Sequence, residues 1–239
     1  MYLCIDAGNT RTKAAIYDAA GQLVDTMIAG ENDLNPIRDF VIQHHPLHAI
    51  LSATGQLDWS LDELDIKGRK IDLSHETPLP ISIVYSTPST LGRDRIASAC
   101  GAKAMFPGKN CLVISAGTCM TMDVILGSGT YIGGNIAPGL KMRLQSMHEY
   151  TARLPLAEEG WPDKPFGDST LHALQNGACL GMVMEIEGIL TRAKNAFGEV
   201  LVVMTGGDSA FLAEQIESQI FVAPELVTQG LFQIIAFNV

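Results

Sequence analysis

The stretch Leu3-Cys4-Ile5-Asp6-Ala7-Gly8-Asn9-Thr10-Arg11-Thr12-Lys13 decides how the rest of the chain is read. A short apolar run ends in a carboxylate, turns at a glycine and enters a second apolar run, Ala14-Ala15-Ile16-Tyr17. Residues 13–17 read as a strand, 18–21 as a turn and 22–28 as the return strand. The pattern comes back 109 positions later as Leu112-Val113-Ile114-Ser115-Ala116-Gly117-Thr118-Cys119. There a strand over 121–126, a Gly127-Ser128-Gly129 turn and a return over 130–136 complete the echo. A repeat of about 110 residues is too long for a solenoid and predicts two duplicated domains. The Pro107-Gly108-Lys109-Asn110 turn divides them into residues 1–107 and 108–239.

Helices and strands alternate through the remainder. Residues 36–44, 61–64, 92–105, 209–219 and 224–239 carry helical signals, and 169–196 reads as one or two helices. Residues 48–52, 81–85 and 200–204 read as short strands. This alternation predicts an α/β fold.

Composition narrows the function. The 239 residues carry 16 Lys+Arg against 26 Asp+Glu, a formal charge of −10, which argues against a phosphate-backbone-binding surface and so against nucleic acid as partner. With 47% hydrophobic residues the chain has ample material for a core. No membrane span or signal peptide is expected, because the charge-free stretches are short or rich in Gly and Pro and Asp6 interrupts the first apolar run. The five cysteines include no CxxC pair and are expected to be reduced core thiols of a cytoplasmic protein. His44, His45 and His48 have metal-like spacing, but Pro46 breaks the helix that would align them, and a surface loop is the expectation.

The chemistry is expected in the hairpin loops. Asp6 at a strand end is placed to hold a divalent metal, directly or through water. Gly8 lets the backbone approach a phosphate, Asn9 and Thr10 add neutral donors, and Lys13 stands within reach of a β- or γ-phosphate. Gly117, Thr118 and Thr121 form the second loop, and Thr205-Gly206-Gly207-Asp208, after a buried strand, is a candidate nucleotide contact that reads equally as a plain turn. Neither GxxxxGK[ST] nor GxGxxG occurs.

Duplicated phosphate hairpins followed by a late strand-Thr-Gly-Gly resemble the acetate/sugar kinase–Hsp70–actin superfamily. Within it, Asp6-x-Gly-Asn-Thr-x-x-Lys13, Tyr85-x-x-Pro88-x-x-Leu-Gly92-x-Asp94-Arg95 and Gly133-Gly134-x-Ile136-x-Pro138-Gly139 resemble type III pantothenate kinases, in the family's order and across essentially the whole chain. The resemblance implies two actin-like (ribonuclease H-like) domains with a nucleotide cleft between them. It further implies ATP-dependent phosphorylation of pantothenate, the first step of coenzyme A synthesis, with Mg²⁺, a monovalent cation (K⁺ or NH₄⁺) and a homodimer whose pantothenate pocket is completed by the partner.

On this resemblance Asp94 is the general base, Arg95 the partner of the pantothenate carboxylate, and Tyr85, Gly92, Gly134 and Ile136 line the same pocket. Thr170 either reaches into the partner's pocket or caps a helix. Asp123 either coordinates the monovalent cation or faces solvent from its hairpin. Two positions depart from the family pattern: Ser115 stands where Asp is usual, and Thr87 where Asn is usual. The loss of a carboxylate at Ser115 keeps open a catalytically weak nucleotide-binding regulatory protein, and a kinase of another small hydroxyl substrate is the separate alternative.

Overall fold

The computed structural model describes residues 1–239, which group into two compact units. The first comprises Met1–Gly108, Ile125–Gly133 and Glu225–Val239; the second comprises Lys109–Val124 and Gly134–Pro224.

In the first unit, β1 (Tyr2–Ala7), β2 (Arg11–Tyr17) and β3 (Leu23–Gly30) form an antiparallel meander. β4 (His48–Ala53) lies parallel to β1, and β5 (Lys70–Asp72) parallel to β4, giving the order β3-β2-β1-β4-β5. Side chains alternate between the two faces. Leu3, Ile5, Ala7, Ala14 and Ile16 join Ile37, Phe40 and Val41 of α1 (Asn35–His44) in one core. Burial on both faces explains why β1 reads as an unbroken apolar run.

The opposite face holds Tyr2, Cys4, Asp6, Lys13 and Tyr17, and is met by α7 (Leu226–Phe237). Phe232 of α7 stacks on Tyr17 and meets Tyr2 edge-on, at centroid distances of 5.2 and 5.4 Å. Helix α2 (Arg93–Met105) starts at Gly92 with Asp94 in its first turn, which suits the positive end of the helix dipole. Its residues Arg95–Ala102 are all buried. Small residues let α7 come close: a Cβ added to Gly230 would lie 1.7 Å from the Ala97 carbonyl oxygen. Between them, the two helices are fixed backbone against backbone. The closing helix, which the 1–107/108–239 division places with the second half, therefore packs in the first unit.

The second sheet repeats the plan. β7 (Asn110–Ala116), β8 (Cys119–Ile125) and β9 (Thr130–Pro138) are successive neighbours. β10 (Val200–Thr205) runs parallel to β7, and β11 (Ile220–Val222) parallel to β10. The order β9-β8-β7-β10-β11 is that of the first sheet, strand for strand. Its core is built from Leu112, Ile114, Met120 and Met122 with Met182, Val183, Ile186 and Leu190 of α5 (Gly181–Phe197). The two-helix alternative for 169–196 holds, because α4 (Thr170–Gln175) and α5 are joined by one π turn over Asn176–Leu180. β6 (Ser82–Ile83) pairs with Thr130 and Tyr131 at the start of β9.

Three expectations change. α6 covers only Ser209–Ala213, because the Glu217 amide turns to Glu187 Oε1 at 3.1 Å and Ile216 dives into the core. The strand over 81–85 shrinks to its two paired residues. A helix not foreseen, α3 (Leu140–Glu149), begins at Gly139, whose amide donates to the Thr118 carbonyl oxygen at 3.1 Å. No helix is long and apolar enough to cross a membrane.

Candidate active site

Loop 1 closes as the sequence dictates: the Gly8 amide donates to the Arg11 carbonyl oxygen at 3.1 Å, leaving Asn9 and Thr10 exposed at the tip. The ladder pairs Asp6 with Lys13 on one side and with Ser52 on the other. Cross-strand partners share a face, so the carboxylate and the ammonium stand together opposite α7. Thr54, just past β4, backs the loop through its amide, 3.1 Å from the Ala7 carbonyl oxygen.

Asp6 is the most perturbed acid in this group. Its Oδ1 is sealed from solvent and has no partner at hydrogen-bond geometry, nor does Ser52 Oγ beside it. Burial pushes its pKa from 3.8 up to about 7; the negative charge of Asp94 adds to the rise, while Ser52 and Lys13 oppose it. Asp94, 88 positions on, is thus brought into the electrostatic neighbourhood of Asp6. Gly92 caps α2, a Cβ added there would lie 2.7 Å from Asp94 Oδ1, and Arg95 follows, buried despite its charge. Tyr85 lies edge-on to Tyr131 at 6.2 Å and over Gly133. Thr87, at the position where Asn is usual, takes the Thr90 hydroxyl on both its carbonyl and its hydroxyl oxygen at 2.9 Å, which starts the short turn Pro88–Thr90.

In the second unit loop 2 copies loop 1, with the Gly117 amide donating to the Cys119 carbonyl oxygen at 3.1 Å and Thr118 exposed. Thr121 is buried one turn of the ladder further on. Asp123 is buried as well, which removes its solvent-facing reading: Gly134 lies so close that an added Cβ would fall 2.2 Å from Asp123 Oδ1. Ser115 ends β7 beside Thr205, and the Gly206-Gly207 turn folds over the same strand end, the Asp208 amide donating to the Ala116 carbonyl oxygen at 3.1 Å. Gly206 adopts φ 98°, as a left-handed turn requires.

Ile136 is exposed. Thr170 is exposed too and does not cap its helix; Ser169 does, accepting from the His172 amide at 3.2 Å. Cys119 is likewise exposed, on loop 2, whereas the other four cysteines are buried as expected. His44 bonds to Asp25 Oδ2 at 2.9 Å and His48 stacks on Tyr2. No group of three or more His, Cys, Asp or Glu side chains is arranged to hold a metal. Ser52 and Thr54 were missed by sequence reasoning; the signal available was their place at the end of the strand parallel to β1, level with Asp6.

Two repeats of a hairpin-led sheet, each ending in a polar loop, define an actin-like ATPase and sugar-kinase fold. The structure is similar to a Campylobacter jejuni protein assigned to the Baf family of transcriptional activators, with a TM-score of 0.66 and 21% identity over 99% of this chain and 98% of that one. It is also similar to the activator of 2-hydroxyisocaproyl-CoA dehydratase from Clostridium difficile with ADPNP bound, with a TM-score of 0.57 and 13% identity over 99% and 94%. These likenesses show the fold alone. Residues 2–192 match the type III pantothenate kinase family. The chain is 38% identical over 244 residues to the type III pantothenate kinase of Bacteroides fragilis, covering 100% of this chain and 98% of that one. The protein belongs to the type III pantothenate kinase family, and is accordingly a kinase that uses ATP.

Proposed function

We propose that the protein phosphorylates pantothenate on its primary hydroxyl at the expense of ATP, the opening step of coenzyme A synthesis. The observation that carries this reading is the pair Asp6 and Asp94, one on the phosphate loop and one at the start of α2, close enough for each to feel the other's charge. Phosphoryl transfer needs little covalent help from a protein, and mostly positioning and charge neutralisation. Asp94 orients the hydroxyl and takes its proton as the oxygen bonds to the γ-phosphorus; the bond from that phosphorus to the bridging oxygen breaks, and its electron pair leaves with ADP. Arg95 matches the pantothenate carboxylate with a guanidinium fork, and Tyr85, Gly92, Gly134 and Ile136 shape the pocket. Loop 1 (Asp6, Gly8, Asn9, Thr10, Lys13) takes the phosphates, and the nucleotide assignment extends to Gly117, Thr118, Thr121, Gly206 and Gly207 of the second unit.

The residues fit a divalent ion. The orphaned, buried Asp6 Oδ1 is an oxygen donor without a partner, and Mg²⁺ is typically bound through one or two carboxylates plus substrate phosphates. When bound, Mg²⁺ neutralises phosphate charge. Asp123 is assigned to K⁺ or NH₄⁺. The homodimer, Thr170's reach into the partner's pocket and a cytoplasmic location belong to the same reading. The test is direct: purified protein with ATP, Mg²⁺, K⁺ and pantothenate is expected to yield ADP and phosphopantothenate in equal amounts. A folded protein that turns over neither would overturn the proposal.

A further inference from the structure

The phosphate lysine does not stand alone. Lys13 Nζ lies 2.8 Å from Glu225 Oε1, in an ion pair with about a quarter of each side chain exposed. Glu225 is the residue before α7, and the Thr228 hydroxyl is shared between its carbonyl oxygen at 3.1 Å and its other carboxylate oxygen, Oε2, at 3.3 Å. Thr228 is fully buried and lies 3.0 Å from the Tyr17 hydroxyl, on the strand that carries Lys13. The carboxylate is therefore held at one end by a side-chain chain leading back to β2 and at the other by the lysine. Its backbone is equally fixed. The carbonyl oxygen of the next residue, Leu226, faces Gly101 of α2 so closely that an added Cβ there would lie 2.4 Å from it. Helix α2 is the one that carries Asp94 and Arg95 at its start.

From this geometry we infer that Glu225 is the positioning residue for Lys13: it holds the ammonium on the Asp6 side of α7 so that the lysine meets the triphosphate in one orientation. An ammonium has three donors, and Glu225 Oε1 engages one of them at 2.8 Å, which fixes the direction in which the Nζ points. A four-carbon stem left to itself samples many rotamers, and ordering it on binding costs side-chain entropy. Glu225 removes part of that cost in advance, from a helix end that the α2–α7 contact keeps rigid. The inference rests on the proposed role of Lys13 at the phosphates.

The test uses the full-length protein with Mg²⁺ and ATP. Glu225→Ala is expected to raise the KM for ATP about tenfold, the scale of one hydrogen bond to a charged group, with the KM for pantothenate unchanged. Glu225→Gln keeps an acceptor and is expected to recover most of the loss. Lys13→Met should raise the ATP KM by at least as much, and adding Glu225→Ala to it should do nothing more, since Glu225 acts through Lys13. Binding of a fluorescent ATP analogue should follow the same order, and the thermal midpoint identifies any variant that fails to fold. An ATP KM unchanged or lowered by both Glu225 variants, an equal rise in both substrates' KM, or full additivity with Lys13→Met would each overturn the inference. If Lys13→Met itself leaves ATP affinity intact, the phosphate role of Lys13 falls first, and the inference falls with it.

Discussion

Replacing Asp6 with Asn should abolish turnover and yet make the nucleotide-free protein more stable, by an amount that depends on pH. The folded state raises this carboxyl from 3.8 to about 7, chiefly by burial and then by the Asp94 charge. The folded chain therefore keeps a proton that the unfolded chain has lost between pH ~4 and ~7. Stability falls wherever the native state binds more protons than the unfolded one as pH rises, so this acid destabilises the fold progressively across that window and fully above it. At about 1.4 kcal/mol per tenfold in proton affinity, the loss reaches up to ~4 kcal/mol above pH 7 and less than ~2 kcal/mol at pH 5. Asn keeps the shape and has no charge to bury. Urea unfolding followed by circular dichroism, at matched protein concentration without Mg²⁺ or nucleotide, should show Asp6→Asn gaining on the parent from pH 5 to pH 8. With Mg²⁺ and ATP present the gap should narrow, because ligand stabilises only the form that binds it. Parallel pH profiles for the two proteins, or a less stable Asp6→Asn at pH 8, would refute the reasoning.

Asp94→Asn should lower kcat by about 10²–10⁴, the usual contribution of a positioned base, with the thermal midpoint little changed; a kcat within a factor of ~3 in a coupled ADP assay would remove Asp94 as base. Gly230→Ala sets a methyl 1.7 Å from the Ala97 carbonyl oxygen, where backbone cannot yield, and should cost ~3 kcal/mol or more, about 6–12 °C in thermal midpoint. Asp123→Asn keeps the size of this buried side chain and removes its charge, and should raise the K⁺ concentration needed for half-maximal activity several-fold; an unshifted K⁺ titration would separate Asp123 from the cation. A thiol reagent should find one cysteine in the native protein, Cys119, and five after denaturation.

What was legible in the sequence is local. Loop 1 is a hairpin between adjacent strands, so its residues, order and glycine turn fix its geometry without help from the rest of the chain, and the same holds for loop 2. The helix carrying Asp94 showed itself by apolar residues at helical spacing (Ile96, Ala99, Cys100, Ala104) and a Pro-Gly end. What escaped depends on distant packing. Tyr17 and Thr228 meet across 211 positions, and nothing near either residue announces the other. α6 is short because Glu187, on another helix, claims a backbone amide that the helix would have used. Asp123 reads from sequence either as a cation ligand or as a hairpin residue bound for solvent, until its burial beside Gly134 of β9 removes the second. Thr170 and Ser169 differ by one position, less than the precision with which a helix start is read from sequence.

The scarcity of positive charge takes on a specific meaning at loop 1. Asp6, Asp94 and Glu225 stand on the same side of the first sheet or at the helices packed there, against Lys13 and the buried Arg95. Fully ionised, that set is negative, and a triphosphate would meet repulsion from it. Two features relieve this. Burial raises the Asp6 carboxyl to about 7, so the loop carries less negative charge below that pH than its residues imply. Glu225 spends its charge on Lys13, so neither is presented to the nucleotide as a free ion. The remaining neutralisation would come with the nucleotide: Asp6 would hold a divalent ion that balances phosphate charge, and Lys13 would be shared between Glu225 and the phosphates. A protein with formal charge −10 can hold ATP on these terms because its few cations stand at the loop itself, beside backbone amides that need no charge.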